Sequence, residues 1–186
     1  MAPDTVTFTG EYIQLREAHL AHPRPVQEQV PLLVGGNGHR VLGYGARNAD
    51  VVSMTGSGRT LADGHHHEVL WHRSEVDRRV EHVWTQAADA GRSPQLEVLV
   101  QYVALTDDAE REAARVAELV TGATAEDLLE APYMLFGTAR EIAGQLHEHR
   151  DSWGITRYVI RPPALDATEQ VLAELTDDGD ATRPLP

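Results

Sequence analysis

Pro31-Leu32-Leu33-Val34-Gly35-Gly36-Asn37-Gly38-His39-Arg40 decides how this chain is read. A short apolar run is stopped by two glycines, the pattern of a buried parallel strand. Asn37 then offers a side-chain cap for a helix running through Arg47. A strand handing over to a helix across glycines has two readings. One is a tight turn that merely needs glycine. The other is an anion cradle, because the helix start presents unpaired amides and a partial positive charge, and the glycines let a ligand approach the backbone. Arg40 favours the second, since a cation in the first turn opposes the helix dipole and is unfavourable without an anion to meet. Gly35, Gly36, Asn37, Gly38 and Arg40 are therefore the candidate phosphate-binding residues.

The same alternation recurs downstream. Asp50-Val51-Val52-Ser53-Met54 reads as a second buried strand, leaving through Thr55-Gly56-Ser57-Gly58-Arg59 into a polar loop rich in glycine and histidine. Val76, Val80, Val83 and Ala87 form a helical stripe that Gly91 ends. Leu96 to Leu105 is the expected third strand. Asp107 with Glu110 suggests a capping box for a helix reaching about Val120, a short helix spans Ala125 to Glu130, and Thr138 with Glu141 is a second box. That box opens a helix with Ile142, Leu146 and Trp153 on one face and Gly154 at its exit. Ile155 to Ile160 is the fourth strand, stopped by Pro162-Pro163. A last helix covers about Asp166 to Leu175. Strands and helices in turn imply a parallel sheet of right-handed crossover units, an α/β fold. At the amino end, Val6 to Thr9 and Tyr12 to Leu15 read as a hairpin around Gly10-Glu11, before an irregular His22-to-Gln27 stretch broken by prolines. Three segments follow: a hairpin insertion over 1–30, an α/β domain over 31–176 and a disordered tail over 177–186.

Composition narrows the function. The 186 residues carry 29 acidic and 16 basic side chains for a formal charge of −13, with 10 histidines and no cysteine. Without thiols there is no disulfide framework, thiolate metal site or cysteine nucleophile, and a reducing, cytoplasmic setting is expected. The acidic balance argues against nucleic-acid or anionic-membrane binding, and no apolar run is long enough to span a bilayer. His65-His66-His67 with His72 lack the helical spacing or carboxylate companion that makes a metal site, so no metal is expected. His147 and His149 read as surface residues, and Trp71, Trp84 and Trp153 as packing residues. Serine-hydrolase and Walker motifs are absent from the sequence.

The order of motifs carries more than any one of them. Gly10-Glu11-Tyr12, then Pro23-Arg24-Pro25-Val26-Gln27, the glycine loop of residues 31–40, Ala46-Arg47-Asn48-Ala49-Asp50-Val51-Val52, Phe136-Gly137-Thr138 with Glu141-Ile142-Ala143, and Trp153-Gly154-Ile155-Thr156 to Val159 together resemble the luciferase-like monooxygenase superfamily. Within it, the chain is most similar to the F420-dependent oxidoreductases. The resemblance runs from about Thr9 to Ile160. It implies part of a (β/α)8 TIM barrel, with Leu32 to Val34, Val51 to Met54, Val98 to Val103 and Tyr158 to Ile160 as the fifth to eighth strands and the hairpin as an insertion before them. It also implies a cofactor, F420 or alternatively FMN, whose phosphate region meets Gly35, Gly36, Asn37 and Gly38 while Thr55 and Gly56 line the same cavity. Arg59 and Arg161, at strand exits, are candidates for an anionic group of a small-molecule substrate. No catalytic proton donor is assigned.

Two features depart from the family pattern: Gly43 and Gly45 lie inside a helix, at about 1 kcal/mol each relative to alanine, and His39 replaces a common proline. The barrel's first four strands lie outside this sequence, so the barrel would be completed by a second copy, by a complementing chain or by a longer reading frame. A non-catalytic barrel fragment serving as an interaction domain is the competing reading.

Overall fold

A computed structural model describes residues 5–19, 26–27, 29–60, 62, 64 and 67–177. The irregular stretch at His22 to Pro25, the histidines His65 and His66, the Arg59 side chain and the tail beyond 177 lie outside the described residues. The chain divides into two compact units, 1–31 and 32–186.

In the first unit, β1 (Val6–Thr9) pairs antiparallel with β2 (Gln14–Ala18). The second strand starts at Gln14 rather than Tyr12, because the Gly10 amide closes the turn onto the Ile13 carbonyl at 2.9 Å.

The second unit is built on a four-stranded parallel sheet. Its members are β3 (Leu33–Gly35), β4 (Val51–Met54), β7 (Gln95–Leu99) and β10 (Ile155–Val159), in the spatial order β10-β7-β4-β3. Strands adjacent in space are thus successive crossover units, as they are around a barrel. Helix α1 (His39–Asn48) links β3 to β4. Between β4 and β7 run β5 (Ser57–Thr60), β6 (His67–Val69) and α2 (Arg73–Asp89). Val52, Met54, Leu96, Val98 and Ile155 share the main core with Val76, Val80, Val83 and Ala87 of α2. Leu33, Val51, Ser53 and Glu97 alternate onto the opposite, concave face, and Val159 joins them because a register shift between Ile155 and Arg157 sets it level with Leu99.

Three expectations are corrected. The single strand expected over 96–105 is two strands, β7 and β8 (Tyr102–Leu105). The chain changes partners between them: the Val100 amide bonds Val159 and the Gln101 amide bonds the Tyr133 carbonyl. Strand β8 then pairs in parallel with β9 (Met134–Gly137), a four-residue apolar run too short to announce itself. The polar loop expected after β4 contains the β5-β6 hairpin. Helix α3 (Ala109–Ala117) is capped by Asp108, which accepts from the Arg111 amide, in place of a box between Asp107 and Glu110. Helix α4 (Ala125–Glu130) carries a capping box, and so does α5 (Ala139–Trp153), where Thr138 and Glu141 exchange bonds as their spacing predicts. Gly154 ends α5 with a left-handed φ of 72°. A 3-10 turn at Pro162–Ala164 leads to α6 (Leu165–Asp177).

The glycines of α1 have a packing reason. A β-carbon on Gly45 would come within 3.2 Å of Val34 and 3.3 Å of Val52, so an alanine would need these neighbours to give way by a few tenths of an ångström. One on Gly43 would press on His82 of α2 at 3.0 Å.

Candidate functional site

The carboxyl ends of β3 and β4 bring together the residues singled out by sequence. Asn37 does not cap α1: its N-cap is Gly38, with no side-chain bond. The Asn37 side chain instead reaches the β4 exit. Its Nδ2 donates to Thr55 Oγ1 at 2.6 Å, and its Oδ1 accepts from the Thr55 and Gly56 amides at 3.0 Å each. Sequence spacing missed this because Asn37 and Thr55 are 18 residues apart.

Thr55 and Gly56 are therefore committed internally. Gly56 is buried with φ +67°, and a β-carbon there would collide with the rings of Trp71 and Tyr133. Trp71 Nε1 is buried without a hydrogen-bond partner among the described residues, and burial pushes the Tyr133 hydroxyl up to about 12 despite the nearby Arg79 guanidinium. Arg79, almost fully buried, donates to the Leu70 carbonyl at 3.0 Å and meets Glu75 at 3.3 Å.

With Asn37 turned away, the start of α1 is left open. Gly38 is exposed, with nothing within 4 Å of where a β-carbon would stand, and no acidic residue occupies the first turn. The first-turn amides have no intrahelical acceptors. Arg40 is exposed and forms no ion pair among the described residues. His39 is fixed beside them: its ring stacks on His82 with centroids 3.5 Å apart, and its carbonyl meets His82 Nε2 at 3.0 Å. Gly36 permits the turn, since a β-carbon there would fall 2.8 Å from Val41. By contrast α3, α4 and α5 are each closed by a side-chain cap.

At the β10 exit, Arg161 is exposed and donates to Gln101 Oε1 at 2.9 Å, tying two strand-exit loops together. On the concave face Arg157 Nε lies 3.1 Å from Glu97 Oε2, with Glu97 only 4% exposed. Neither residue of that pair is conspicuous in the sequence; the signal is a charge at alternate positions of otherwise apolar strands.

The fold found in solved structures matches this arrangement. An F420-dependent secondary alcohol dehydrogenase in complex with an F420-acetone adduct superposes with a TM-score of 0.63 at 16% identity, over 92% of this chain and 56% of its own. The coenzyme F420 dependent tetrahydromethanopterin reductase from Methanopyrus kandleri gives 0.61 at 16% identity over the same shares, 92% and 56%. A riboflavin lyase holding modified FMN and riboflavin gives 0.63 at 15% identity, over 96% of this chain and 49% of its own.

The fold is the one these structures share. The chain spans about half the length of these structures, and its four-stranded sheet is not closed into a barrel. No family model and no curated protein matches the sequence.

His72 and His149 belong to other parts of the fold. His72 Nδ1 is 2.6 Å from Asp127. Among the described residues no cluster of three His, Asp or Glu side chains could hold a metal ion. The surface reading of His149 is corrected: it is 6% exposed, stacked on Trp153 and beside Tyr158, and burial with the nearby Arg73 charge holds it down at about 4. It lines a cavity of about 270 Å³ with Arg73, Gln145, Glu148 and Trp153, formed by α2, α4 and α5 rather than by the strand exits. Trp71 and Trp153 are buried core residues. No helix among the described residues is long and apolar enough to cross a membrane.

Proposed function

We propose that this chain is part of a luciferase-like oxidoreductase that binds coenzyme F420, with FMN as the alternative carrier, and acts on a small organic substrate once further strands complete its barrel. The observation that carries this reading is the uncapped start of α1 beside an open glycine and an arginine, Arg40, with no ion pair among the described residues. Those residues fit the phosphate region of such a cofactor: amide donors at a helix start, room at Gly38, and Arg40 for a second negative charge. The Asn37 clamp contributes indirectly, by holding the β4 exit level with the cradle.

When bound, F420 or FMN supplies hydride transfer at its ring. The chain's own part is to hold the anionic end, orient the ring over the carboxyl edge of the sheet and exclude water there. Arg161, held by Gln101, is available to an anionic substrate group; the role assigned to Arg59 stays with its sequence position. The solved neighbours named as F420- and FMN-containing support this carrier class. The competing view of an eroded, non-catalytic fragment drew on Gly43 and Gly45. Both are explained by close packing of α1 against the sheet and α2.

The test is direct loading. Purified protein incubated with F420 or FMN and desalted should retain the chromophore, more of one than of the other, and lose it when Arg40 is changed to Glu. Retention of neither chromophore at saturating carrier overturns the proposal.

A further inference from the structure

The sheet ends on two open strands, β3 and β10, which point the same way because every pairing between them is parallel. Three features of these edges fit each other. The first is register. Gly35 stands level with Ser53, Ser53 with Glu97, and Glu97 with Arg157. Strand tops meanwhile climb from Gly35 to Met54, Leu99 and Val159. Level lines thus fall below the strand tops by one residue at β4 and by two at both β7 and β10, the sense of offset in a barrel whose shear is about 8 over eight strands. A half turn then amounts to about four residues. Were the next strand a second β3, Arg157 would stand level with the position four before Gly35, and Val159 level with Leu33.

The second feature is the direction of the backbone groups. Successive residues of a parallel ladder turn their amides and carbonyls to opposite sides. The Leu32 carbonyl accepts from β4 and the Gly36 amide donates to Ser53, so Leu33 and Gly35 aim theirs at the open edge. The Val159 carbonyl accepts from the Val100 amide, so Val159 faces β7 and its neighbours Tyr158 and Ile160 face the open edge. Pairing Leu33 opposite Val159 needs that parity: Leu33 bonds the residues on either side of Val159. An offset of one residue would leave both edges unbonded.

The third is the side chains. Val34 packs under α1 and Tyr158 beside His149 of α5, so Leu33 and Val159 both turn to the concave face. They are 48% and 41% exposed, apolar, and without cover. Four strands of one direction are what the open side lacks, and a second copy brings four.

We infer that the partner completing this barrel is a second copy of the chain. The copies are related by a two-fold along the barrel axis, with β3 of each paired in parallel to β10 of the other and Leu33 beside Val159 across both seams. Such a dimer places two α1 cradles at one mouth and the two Glu97–Arg157 pairs in one interior. The inference rests on the barrel reading above and names its partner.

The chain has no cysteine, so paired cysteines report cleanly. Leu33→Cys/Val159→Cys should give, on mild oxidation, a dimer linked at both seams, while each single variant stays unlinked. Within one chain the two positions are three strand steps of about 4.8 Å apart, beyond the roughly 7 Å reach of a disulfide. Far-ultraviolet circular dichroism and urea unfolding of the singles, whose side chains are half exposed, check that the fold survives. Sedimentation of the wild-type chain should show a dimer. A monomer at every accessible concentration, or a single variant that links as readily as the double, overturns the inference; the latter outcome means another edge pairing. A monomer bound to an unrelated protein also overturns it. Cofactor retention is read separately: a doubly linked dimer without chromophore retires the carrier proposal alone, and a chromophore-bearing monomer retires the dimer alone.

Discussion

Replacing Asn37 separates what holds the site together from what the site holds. In Asn37→Ala the Gly56 amide, buried beneath Trp71 and Tyr133, and the Thr55 amide lose their acceptor, and the Thr55 hydroxyl loses the Nδ2 donor. An unsatisfied buried amide costs about 1–3 kcal/mol and a half-exposed one less, so the sum is about 2–4 kcal/mol. Asn37→Asp keeps both amide acceptors, and the Thr55 hydroxyl can rotate to donate to the new carboxylate. Its stability should stay within about 1 kcal/mol of wild type, helped by a negative charge near the start of α1. The same charge opposes a bound phosphate, and anion affinity should fall about tenfold or more, on the order of 1–2 kcal/mol. Urea unfolding at one protein concentration gives the first quantity and titration with F420 or FMN the second. If Asn37→Ala unfolds within about 0.5 kcal/mol of wild type, the clamp is not holding the loop. If Asn37→Asp binds the carrier as tightly as wild type, the anion does not sit at α1.

Other perturbations follow the same logic. Gly56→Ala adds a left-handed residue with a side chain and an overlap with Trp71 and Tyr133, and should cost roughly 2–5 kcal/mol in urea unfolding. Gly144→Ala, in the exposed interior of α5 with nothing within 4 Å, should stabilise by about 0.5–1 kcal/mol. His149 is held at about 4 in the folded chain against an ordinary value of 6.5. The unfolded state therefore binds the extra proton first, and stability falls as pH drops from about 6.5 to 4, by at most about 3 kcal/mol. Urea unfolding at pH 7.5 and 5.0 should show the loss in wild type and much less in His149→Gln. An unchanged pH response in that variant would place the titrating group elsewhere. Thr138→Ala removes the α5 cap and should cost about 1 kcal/mol, read from the same unfolding curves.

What the sequence discloses is what short-range chemistry controls. The Thr138 and Glu141 box, the Gly154 exit and the Val76-to-Ala87 stripe depend on residues within a few turns of each other, and each stands where its spacing puts it. Strands β3, β4 and β10 are legible because each is a short, mainly apolar run bounded by turn residues, although β3 and part of β10 stand exposed. The failures are long-range. Asn37 has the ordinary local option of capping α1, yet a partner 18 residues on competes for it and wins with three bonds against one. The apolar run from Leu96 to Leu105 cannot reveal that its two halves pair with different strands. His149 lies on a helix full of charges, and only the packing of α5 shows it facing inward.

The concave face sets a condition that any completed barrel must meet. Glu97 is nearly inaccessible even with the barrel open, and its charge is met by Arg157, whose side chain is still 47% exposed. Arg157 also reaches Gln95 Oε1 at 3.4 Å. Closing the barrel removes the remaining water from the arginine. An ion pair that loses solvent on both partners is favourable only where further hydrogen bonds satisfy the guanidinium, and breaking it then leaves a buried charge costing about 3–5 kcal/mol. Arg157→Leu should therefore be mild while the sheet is open and severe once it is closed. In the two-fold arrangement the arginine of each copy enters an interior that already holds the glutamate of the other, so the added charges come as neutral pairs. Arg157→Leu should accordingly weaken the dimer more than it destabilises the monomer, which sedimentation and unfolding at two protein concentrations distinguish. A variant that unfolds outright at every concentration would show instead that the pair holds β7 to β10 inside a single chain.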